Sequence, residues 1–217
     1  MSSGPAPSVP SEFVRAHTRT ARPSLVPEVQ LRVADDVVAL WEAMEDAGGV
    51  VVTDPPFWAA AWPGGQALAR HLLDDSALVA GRTVLDLGSG SGLVAVAALL
   101  AGAAEVVASE VDPYGRTAVV VNAELNGVGQ VRVVGDLLSG PPPVADVVLA
   151  GDVCYDREMT ERVLPFLTAA RAAGAEVLVG DPGRPYLPAD RLERLAVHDV
   201  PETEGDGIRR TTVWRLP

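Results

Sequence analysis

The sequence predicts an α/β fold built on a seven-stranded, mostly parallel sheet with an antiparallel edge pair, helices on both faces and an N-terminal helical extension. Short apolar runs alternate with helical segments from residue 83 to residue 181, which is typical of a parallel sheet covered on both faces. Two strand-like runs then close the chain with no helix between them, so we expect an antiparallel pair at one edge. A helical pattern also precedes the first strand.

The chain divides into three parts, and we expect the second and third to form one globular unit. Residues 1–11 are rich in Ser, Pro and Gly and carry too little apolar material to offset the entropy of ordering, so a disordered tail is predicted. Residues 12–75 form an N-terminal extension and lid segment. Residues 76–217 form the core.

Helical periodicity marks two segments of the extension. Val37, Leu40 and Met44 recur at helical spacing, and a pair of glycines that begins at Gly48 ends that helix. A second helix follows Pro63, whose fixed φ suits the first helical turn. The rigid, aromatic sequence "DPPFWAAAWP" lies between the two helices.

The core elements follow in regular alternation, and glycines or other turn residues separate most of them. The predicted strands lie at residues 83–87, 105–110, 131–136, 145–152, 175–181, 195–200 and 211–216. The predicted helices lie at residues 93–103, 114–128 and 157–174.

Composition limits the classes of function. The formal net charge of −12 disfavours binding to a nucleic-acid backbone, because that affinity depends on clustered Lys and Arg. A single cysteine, Cys154, excludes an internal disulfide, and three scattered histidines offer no metal-ligand spacing, so we expect no metal site. No apolar stretch is long enough to span a bilayer and the opening residues do not form a secretory signal, so we predict a cytoplasmic protein without membrane partners.

A glycine turn follows the first core strand. Gly88, Gly90 and Gly92 alternate ahead of a helix, where small residues let a ligand approach the backbone and the helix N-terminus presents free N–H groups. Leu93 stands where the dinucleotide fingerprint G-x-G-x-x-G requires a glycine, and the phosphate loop G-x-x-x-x-G-K-[ST] is absent. A ligand with a pyrophosphate is therefore disfavoured.

Two acidic residues accompany this turn. Asp86 lies just upstream of the glycines, and Glu110 ends the next strand 20 residues beyond Gly90 (110 − 90). A carboxylate at that offset can accept hydrogen bonds from both ribose hydroxyls of a nucleoside. The pattern fits a nucleoside without a pyrophosphate best; a turn kept for packing, or for another nucleotide, is the alternative.

The segments "LDLGSGSG" and "ASEVDP" resemble the cofactor site of the class I, seven-stranded S-adenosylmethionine-dependent methyltransferases, which have a Rossmann-like fold. The resemblance implies S-adenosylmethionine as the cofactor. It places the turn against the methionyl moiety, Glu110 on the ribose and Asp136 near adenine. The cofactor-binding residues that it implies are Trp62, Asp86, Gly88, Ser89, Gly90, Glu110, Asp136 and Gly151.

Longer motifs resemble a narrower family, the bacterial and mitochondrial protein-lysine methyltransferases of the electron transfer flavoprotein β subunit. These motifs are "FVRAHTRTARPSLVPEVQLRV", "PFWAAAWPGGQALARHLLD", "GDVCYD", "GDPGRPYLP" and "TTVWRL", and the resemblance extends from Phe13 to Leu216. It implies an enzyme that transfers a methyl group in line to a neutral lysine amine of a protein. The implied partner is the electron transfer flavoprotein β subunit.

The segment "GDVCYD" matches the family's D-x-x-Y motif through Asp152 and Tyr155, which the resemblance makes the catalytic residues. The carboxylate could orient the lysine amine and stabilise developing positive charge, and the tyrosine could offer its oxygen or its ring face to a cation. From the residues alone, Asp152 could instead be the N-cap of the next helix, and Tyr155 could simply pack.

The tryptophan-rich segment resembles the family's lid over the cofactor, with Trp62 near the S-adenosylmethionine and Pro63 fixing the turn into the helix. Trp58 and Trp62 could alternatively fill the core. Ala60 and Ala61 stand where many relatives carry aromatic residues, and a wider acceptor pocket would suit a small-molecule N-methyltransferase, the alternative function. A protein that binds the cofactor without turnover is the non-enzymatic alternative.

Overall fold

The structure is a computed structural model that describes residues 9–48, 54–129, 131–201 and 207–217. Its helices are α1 (Ser11–Ala16), α2 (Val37–Gly48), α3 (Pro63–Asp74), α4 (Leu93–Leu100), α5 (Pro113–Leu125) and α6 (Arg157–Ala172). Its strands are β1 (Arg19–Ala21), β2 (Leu31–Val33), β3 (Thr83–Leu87), β4 (Glu105–Ser109), β5 (Arg132–Val134), β6 (Val147–Gly151), β7 (Glu176–Asp181), β8 (Glu193–Pro201) and β9 (Ile208–Arg215).

Strands β3 to β9 form one sheet in the order β5-β4-β3-β6-β7-β9-β8. Strands β3 to β7 pair in parallel. Strand β9 pairs antiparallel with β7, and β8 pairs antiparallel with β9 at the sheet edge. For the described part of the chain, the predicted seven-stranded, mostly parallel sheet with an antiparallel edge pair is therefore confirmed.

Helices cover both faces of the sheet because successive side chains of each strand point to opposite sides. Val84 of β3 belongs to the apolar cluster that includes side chains of α3 and α4, whereas the next residue, Leu85, belongs to the cluster that includes α6. A central strand buried on both faces needs a continuous apolar run, which "VVLA" in β6 provides. The prediction of helices on both faces is confirmed.

The N-terminal extension packs on α5. Helix α1 begins at Ser11, one residue ahead of the predicted boundary, and the carbonyl oxygen of Val9 accepts a hydrogen bond from Thr117 Oγ1 at 3.0 Å. The guanidinium of Arg15 pairs with Glu124 of α5 at 2.8 Å. Residues 1–8 of the tail that was predicted to be disordered lie outside the described residues.

Strands β1 and β2 form a small antiparallel ribbon that the sequence did not predict. Each has three residues, which is too short for an alternating apolar pattern to be recognised. Helix α5 and its C-cap residue hold β2 and the residue before it, because the side-chain oxygens of Asn122 and Asn126 accept hydrogen bonds from Arg32 N and Gln30 N, both at 2.8 Å. The ribbon thereby joins the extension to the core.

Both predicted helices of the extension are present. In α2, Leu40 and Met44 are buried, whereas Val37 at the first turn is exposed. Helix α3 begins at Pro63, as predicted. None of the helices within the described ranges is long and apolar enough to cross a bilayer.

Glycines bring the start of α3 against the carboxyl ends of β6 and β7. A Cβ atom placed on Gly64 would overlap the carbonyl oxygen of Gly180, and one placed on Gly151 would lie 3.0 Å from the Cα atom of Gly65. Side chains at these points would push the helix away from the sheet. The first turn of α3 is therefore held at the sheet edge where β6 ends, next to Asp152.

Candidate active site at the carboxyl edge of the sheet

The glycine turn between β3 and α4 forms one wall of a cleft at this edge. Gly88, Gly90 and Gly92 have positive φ angles of 68°, 52° and 78°. A Cβ atom on Gly92 would also lie 3.1 Å from Cγ1 of Val119. Glycine is required here because L residues rarely adopt this backbone region. Gly88 and Gly90 therefore present bare backbone to the cleft.

Glu110 follows β4 and reaches back to the glycine turn. Its Oε2 accepts a hydrogen bond from Gly90 N at 2.7 Å, and its Oε1 accepts one from Asp112 N at 2.9 Å. Each carboxylate oxygen has a second lone pair, so the group is fixed in place and can still accept hydrogen bonds from a ligand. Burial raises the pKa of Glu110, and the backbone N–H groups partly oppose that shift.

Asp86 lies beneath the turn, near the end of β3. Its side chain is buried, and its Oδ2 accepts a hydrogen bond from Ala95 N in the first turn of α4 at 3.1 Å. Burial raises the pKa of Asp86 to about 7. Its carboxyl group is therefore balanced between the neutral and charged forms near neutral pH, and a cationic ligand in the cleft would favour the charged form.

The cleft brings together seven of the ten predicted site residues. Glu110 borders it through the hydrogen bond to Gly90, whereas Tyr155 and Asp136 lie outside its walls. Ala60 of the lid also lines the cleft. The seven predicted residues that line it are Trp62, Asp86, Gly88, Ser89, Gly90, Gly151 and Asp152.

The two tryptophans of the lid have different surroundings. Trp58 is 1% exposed and packs in an apolar cluster with Leu40 and Met44, so it fills the core. Trp62 is 39% exposed, lines the cleft and donates a hydrogen bond from Nε1 to the carbonyl oxygen of Phe57 at 2.7 Å. Trp62 thus has the position that a lid residue requires.

Asp152 follows β6 and is held by three other segments of the chain. Among the described residues it is the one non-glycine residue with a positive φ, at 61°. Its backbone N–H donates to Gly180 O at 2.9 Å, its Oδ2 accepts from Gly65 N at 2.8 Å, and its Oδ1 lies 2.5 Å from Nη1 of Arg184. Strained backbone persists where its surroundings fix it, and it is concentrated at functional sites.

The interpretation of Asp152 as a helix cap is wrong. The N-cap of α6 is Asp156, whose Oδ1 accepts a hydrogen bond from Met159 N at 2.7 Å. Asp152 lines the cleft instead. Burial raises the pKa of Asp152, while the charge of Arg184 and the Gly65 amide partly oppose that shift.

The resemblance marked the loop "GDPGRP" as lying beside the active site, but sequence reasoning did not single out Arg184 as a site residue. It lies in the loop after β7, where Asp181 Oδ1 accepts hydrogen bonds from Gly183 N and Arg184 N, both at 2.7 Å. This turn directs the guanidinium toward Asp152, and Nη1 also lies 3.5 Å from Asp181 Oδ2. The available signal was an arginine within "GDPGRP", directly after a strand that ends beside β6.

Tyr155 lies beside the lid and is 50% exposed, which does not fit a purely packing role. The centroid of its ring lies 6.3 Å from that of Phe57, and the Phe57 ring lies 5.8 Å from that of Trp62. The three rings therefore form an aromatic row that leads to the cleft wall at Trp62. An exposed ring in this row can offer its face to a cation.

Asp136 follows β5 and makes its contacts away from the cleft. Its Oδ2 pairs with Nη2 of Arg162 at 2.8 Å, and its Oδ1 accepts a hydrogen bond from Leu138 N at 2.8 Å. The carboxylate is thus joined to α6. The place of Asp136 near adenine stays a prediction.

The residues present fit S-adenosylmethionine. Bare glycine backbone gives a ligand close access, Glu110 retains lone pairs for ribose hydroxyls, and the buried carboxyl group of Asp86 favours a cation such as a sulfonium or ammonium. Within the described ranges, no group of three or more His, Cys, Asp or Glu side chains is arranged to hold a metal ion.

Curated relatives match most of the chain. The electron transfer flavoprotein beta subunit lysine methyltransferase of Mus musculus is 36% identical over 204 residues, which are 90% of this chain and 79% of that protein. The Homo sapiens protein of the same name is 35% identical over 213 residues, which are 93% of this chain and 80% of that protein. The Danio rerio protein of that name is 38% identical over 201 residues, with coverage of 88% and 77%.

A family model described as ribosomal protein L11 methyltransferase matches residues 67–153. Among solved structures, magnesium protoporphyrin IX methyltransferase from Synechocystis PCC 6803 with bound SAM is 16% identical, with a TM-score of 0.52 and coverage of 70% of this chain and 78% of that chain. TrmN from Thermus thermophilus is 21% identical, with a TM-score of 0.53 and coverage of 82% and 66%. At these identities the two structures show the shared fold.

Proposed function

This chain belongs to the family of the electron transfer flavoprotein β-subunit lysine methyltransferases, and we propose that it transfers a methyl group from S-adenosylmethionine to a lysine of its own host's electron transfer flavoprotein β subunit. Membership in the family supports this acceptor better than the fold does, because one fold serves many substrates. The formal net charge of −12 also favours a partner that presents a cationic lysine over a nucleic acid.

The observation that carries the proposal is that one cleft holds both the glycine turn and Asp152. The turn and Glu110 offer a nucleoside site, which we name the donor end, and Asp152 offers a fixed carboxylate in the same cleft, which we name the acceptor end. Methyl transfer needs an acceptor aligned with the donor, and the rate gain from such alignment is large. A shared cleft provides that alignment.

The donor end holds the cofactor and excludes water. When bound, S-adenosylmethionine supplies an electrophilic methyl group attached to a sulfonium sulfur, and that sulfur becomes a neutral thioether when the methyl group is transferred. Glu110 would accept hydrogen bonds from the ribose hydroxyls, and the charged form of Asp86 would favour the cationic ligand. Trp62, at the edge of the lid, would keep water out of the cleft.

The acceptor end prepares the lysine. The amine must arrive without its extra proton, since an ammonium has no lone pair. Asp152 would accept a hydrogen bond from the amine and so direct its lone pair, and the carboxylate charge would stabilise the cation that develops on nitrogen. Tyr155 would contact the lysine side chain with the face of its ring.

A label-transfer assay tests the proposal. The purified chain is incubated with methyl-labelled S-adenosylmethionine, the host's electron transfer flavoprotein and a fractionated extract, beside the Asp152→Ala variant. We expect label on a lysine of the β subunit, located by peptide mass spectrometry, and loss of that label with the variant.

The other outcomes of this assay are each decisive. Label confined to low-mass compounds would overturn the protein acceptor and support the small-molecule methyltransferase that Ala60 and Ala61 suggest. Label in another protein would overturn the β subunit as substrate. Binding of the cofactor with no labelled product in any fraction would overturn the enzymatic activity.

A further inference from the structure

We propose that Arg184 is a positioning residue for methyl transfer, whose guanidinium fixes the Asp152 carboxylate in the cleft and keeps it charged beside the acceptor amine. The inference rests on the proposed function and adds a residue to it. Arg184 lies 32 residues from Asp152 in the sequence and outside the D-x-x-Y motif.

The ion pair between the two residues is short and shielded from water. Nη1 of Arg184 lies 2.5 Å from Oδ1 of Asp152, and the two side chains are 21% and 10% exposed. Such a pair is screened by salt much less than one on the surface. Because Gly65 N donates to the other oxygen of Asp152, both oxygens are held and the carboxylate cannot rotate freely.

A second carboxylate shares the same guanidinium. The side chain of Asp181 is 1% exposed, and its Oδ2 accepts no hydrogen bond from the described residues but lies 3.5 Å from Nη1 of Arg184. Two buried carboxylates close to one another repel, and a cation that lies between them offsets that repulsion. Arg184 supplies that cation.

The groups that act on the Asp152 side chain come from β7, the loop that follows it, and α3. Arg184 and Asp181 belong to β7 and its loop, and Gly65 N belongs to α3. On the loop of Asp152 itself, burial raises the pKa of the Cys154 thiol to about 11, so the thiol is neutral at working pH. Arg184 is the cation among these groups, and its removal will raise the pKa of Asp152 further.

The consequence for the reaction is a change in pH dependence. A protonated Asp152 would have no negative charge to stabilise the cation that develops on the amine. Without Arg184 the enzyme would therefore need a higher pH to reach full activity. An ion pair that only stabilised the fold would lower the free energy of unfolding and leave the pH profile in place.

Three variants test this role. Arg184→Gln removes the charge, and Arg184→Lys keeps a charge without the planar guanidinium. Arg70→Gln is the matched control, because the side chain of Arg70 is 18% exposed, pairs with Glu28 and Asp74, and does not line the cleft. Circular dichroism establishes that each variant is folded before its kinetics are measured.

We expect Arg184→Gln to lower kcat by about 100-fold with little change in the KM for S-adenosylmethionine. In the dependence of kcat on pH, the acidic limb of Arg184→Gln should shift to higher pH by about one pH unit. Arg184→Lys should recover much of the activity and shift the limb less, so it tests the same claim if Arg184→Gln does not fold. An unmoved limb in the Arg184 variants, or an equal loss of kcat in Arg70→Gln, would overturn the role.

A second readout needs no methyl acceptor. The Asp152 carboxyl carbon is followed by ¹³C NMR during a pH titration and is assigned with Asp152→Asn. We expect it to titrate at higher pH in Arg184→Gln than in the unaltered protein, and identical titrations would overturn the positioning role. Failure of the unaltered protein to label any lysine would overturn the proposed function, so the two failures are distinguishable.

Discussion

The two ends of the cleft are built in different ways. Apart from Trp62 of the lid, the donor end comes from two stretches of chain, β3 with its glycine turn and the residue that follows β4, which are joined by the hydrogen bond from Gly90 N to Glu110. The acceptor end is assembled from the first turn of α3 and the loops after β6 and β7, joined at Asp152. Local backbone geometry thus defines the donor end, and long-range contacts between side chains and loops define the acceptor end.

This difference explains how the site can vary within one fold. The cofactor site consists of the backbone of the glycine turn and one anchored carboxylate, so its geometry depends little on residues elsewhere on the protein surface. An acceptor site carried by loops can change its residues without disturbing the sheet beneath it. Damage to the donor end should therefore weaken cofactor binding, and damage to the acceptor end should slow turnover.

The largest effect is expected from Asp152→Asn. The amide keeps the shape of the side chain but has no negative charge, so kcat should fall by about 1000-fold. Affinity for S-adenosylhomocysteine, measured by calorimetry, should change little. Asp156→Asn is the matched control, because that carboxylate caps α6 and its removal should leave kcat in place. A comparable loss of kcat in both variants would contradict the assignment.

The next effect concerns the donor end. Glu110→Gln replaces an anchored carboxylate with an amide that can accept at one atom only, so affinity for S-adenosylhomocysteine should fall by about 30-fold. The rate at saturating cofactor should stay close to that of the unaltered protein. Glu124→Gln removes a carboxylate from the exposed pair with Arg15 and serves as the control. If Glu110→Gln lowered the rate at saturating cofactor without lowering the affinity for S-adenosylhomocysteine, the assignment of Glu110 to cofactor binding would be contradicted.

A smaller effect is expected where α3 meets the sheet. In Gly64→Ala the added methyl group would overlap the carbonyl oxygen of Gly180, and the free energy of unfolding should fall by about 2 kcal/mol. In Gly65→Ala the methyl group would lie 3.8 Å from Val94, an ordinary contact, and stability should change little. Urea denaturation compares the two, and equal losses would show that the close approach at Gly64 is not the cause.

The smallest effect is a pH dependence at the donor end. The pKa of Asp86 is raised to about 7 in the folded protein, above its ordinary value of 3.8. Between these values the folded state keeps a proton that the unfolded state has lost, so stability falls as pH rises. From pH 6 to pH 7 the protein should lose about 1 kcal/mol relative to Asp86→Asn. If the urea midpoints of the unaltered protein and Asp86→Asn change equally between pH 6 and pH 7, the raised pKa of Asp86 is contradicted.

The donor end could be predicted from the sequence because its signals are local. Alternating glycines after an apolar strand predict the turn, and the offset of Glu110 from Gly90 places the carboxylate on the neighbouring strand. Both expectations match the hydrogen bond between these two residues. The strands and crossover helices could be predicted equally well from the sequence, since each carries its own apolar pattern and turn residues.

The acceptor end could be predicted only in part from the sequence. The motif singled out Asp152 and Tyr155, but the Arg184 contact spans 32 residues and depends on how β6 and β7 pair. The glycines that let α3 approach the sheet gave no signal of their own, because nothing in the sequence distinguishes Gly64 of α3 or Gly180 of β7 from any other glycine until the packing is known. The β1–β2 ribbon was missed for a different reason, since three-residue strands carry no readable period.

A double-mutant cycle tests the independence of the two ends most directly. The value of kcat/KM for S-adenosylmethionine is measured for the unaltered protein, Asp152→Asn, Glu110→Gln and the double variant, with the electron transfer flavoprotein as acceptor. Independent ends predict that the two single losses multiply in the double variant to within about twofold. A double variant no slower than Asp152→Asn alone would show that the two carboxylates act as one unit and would contradict the division.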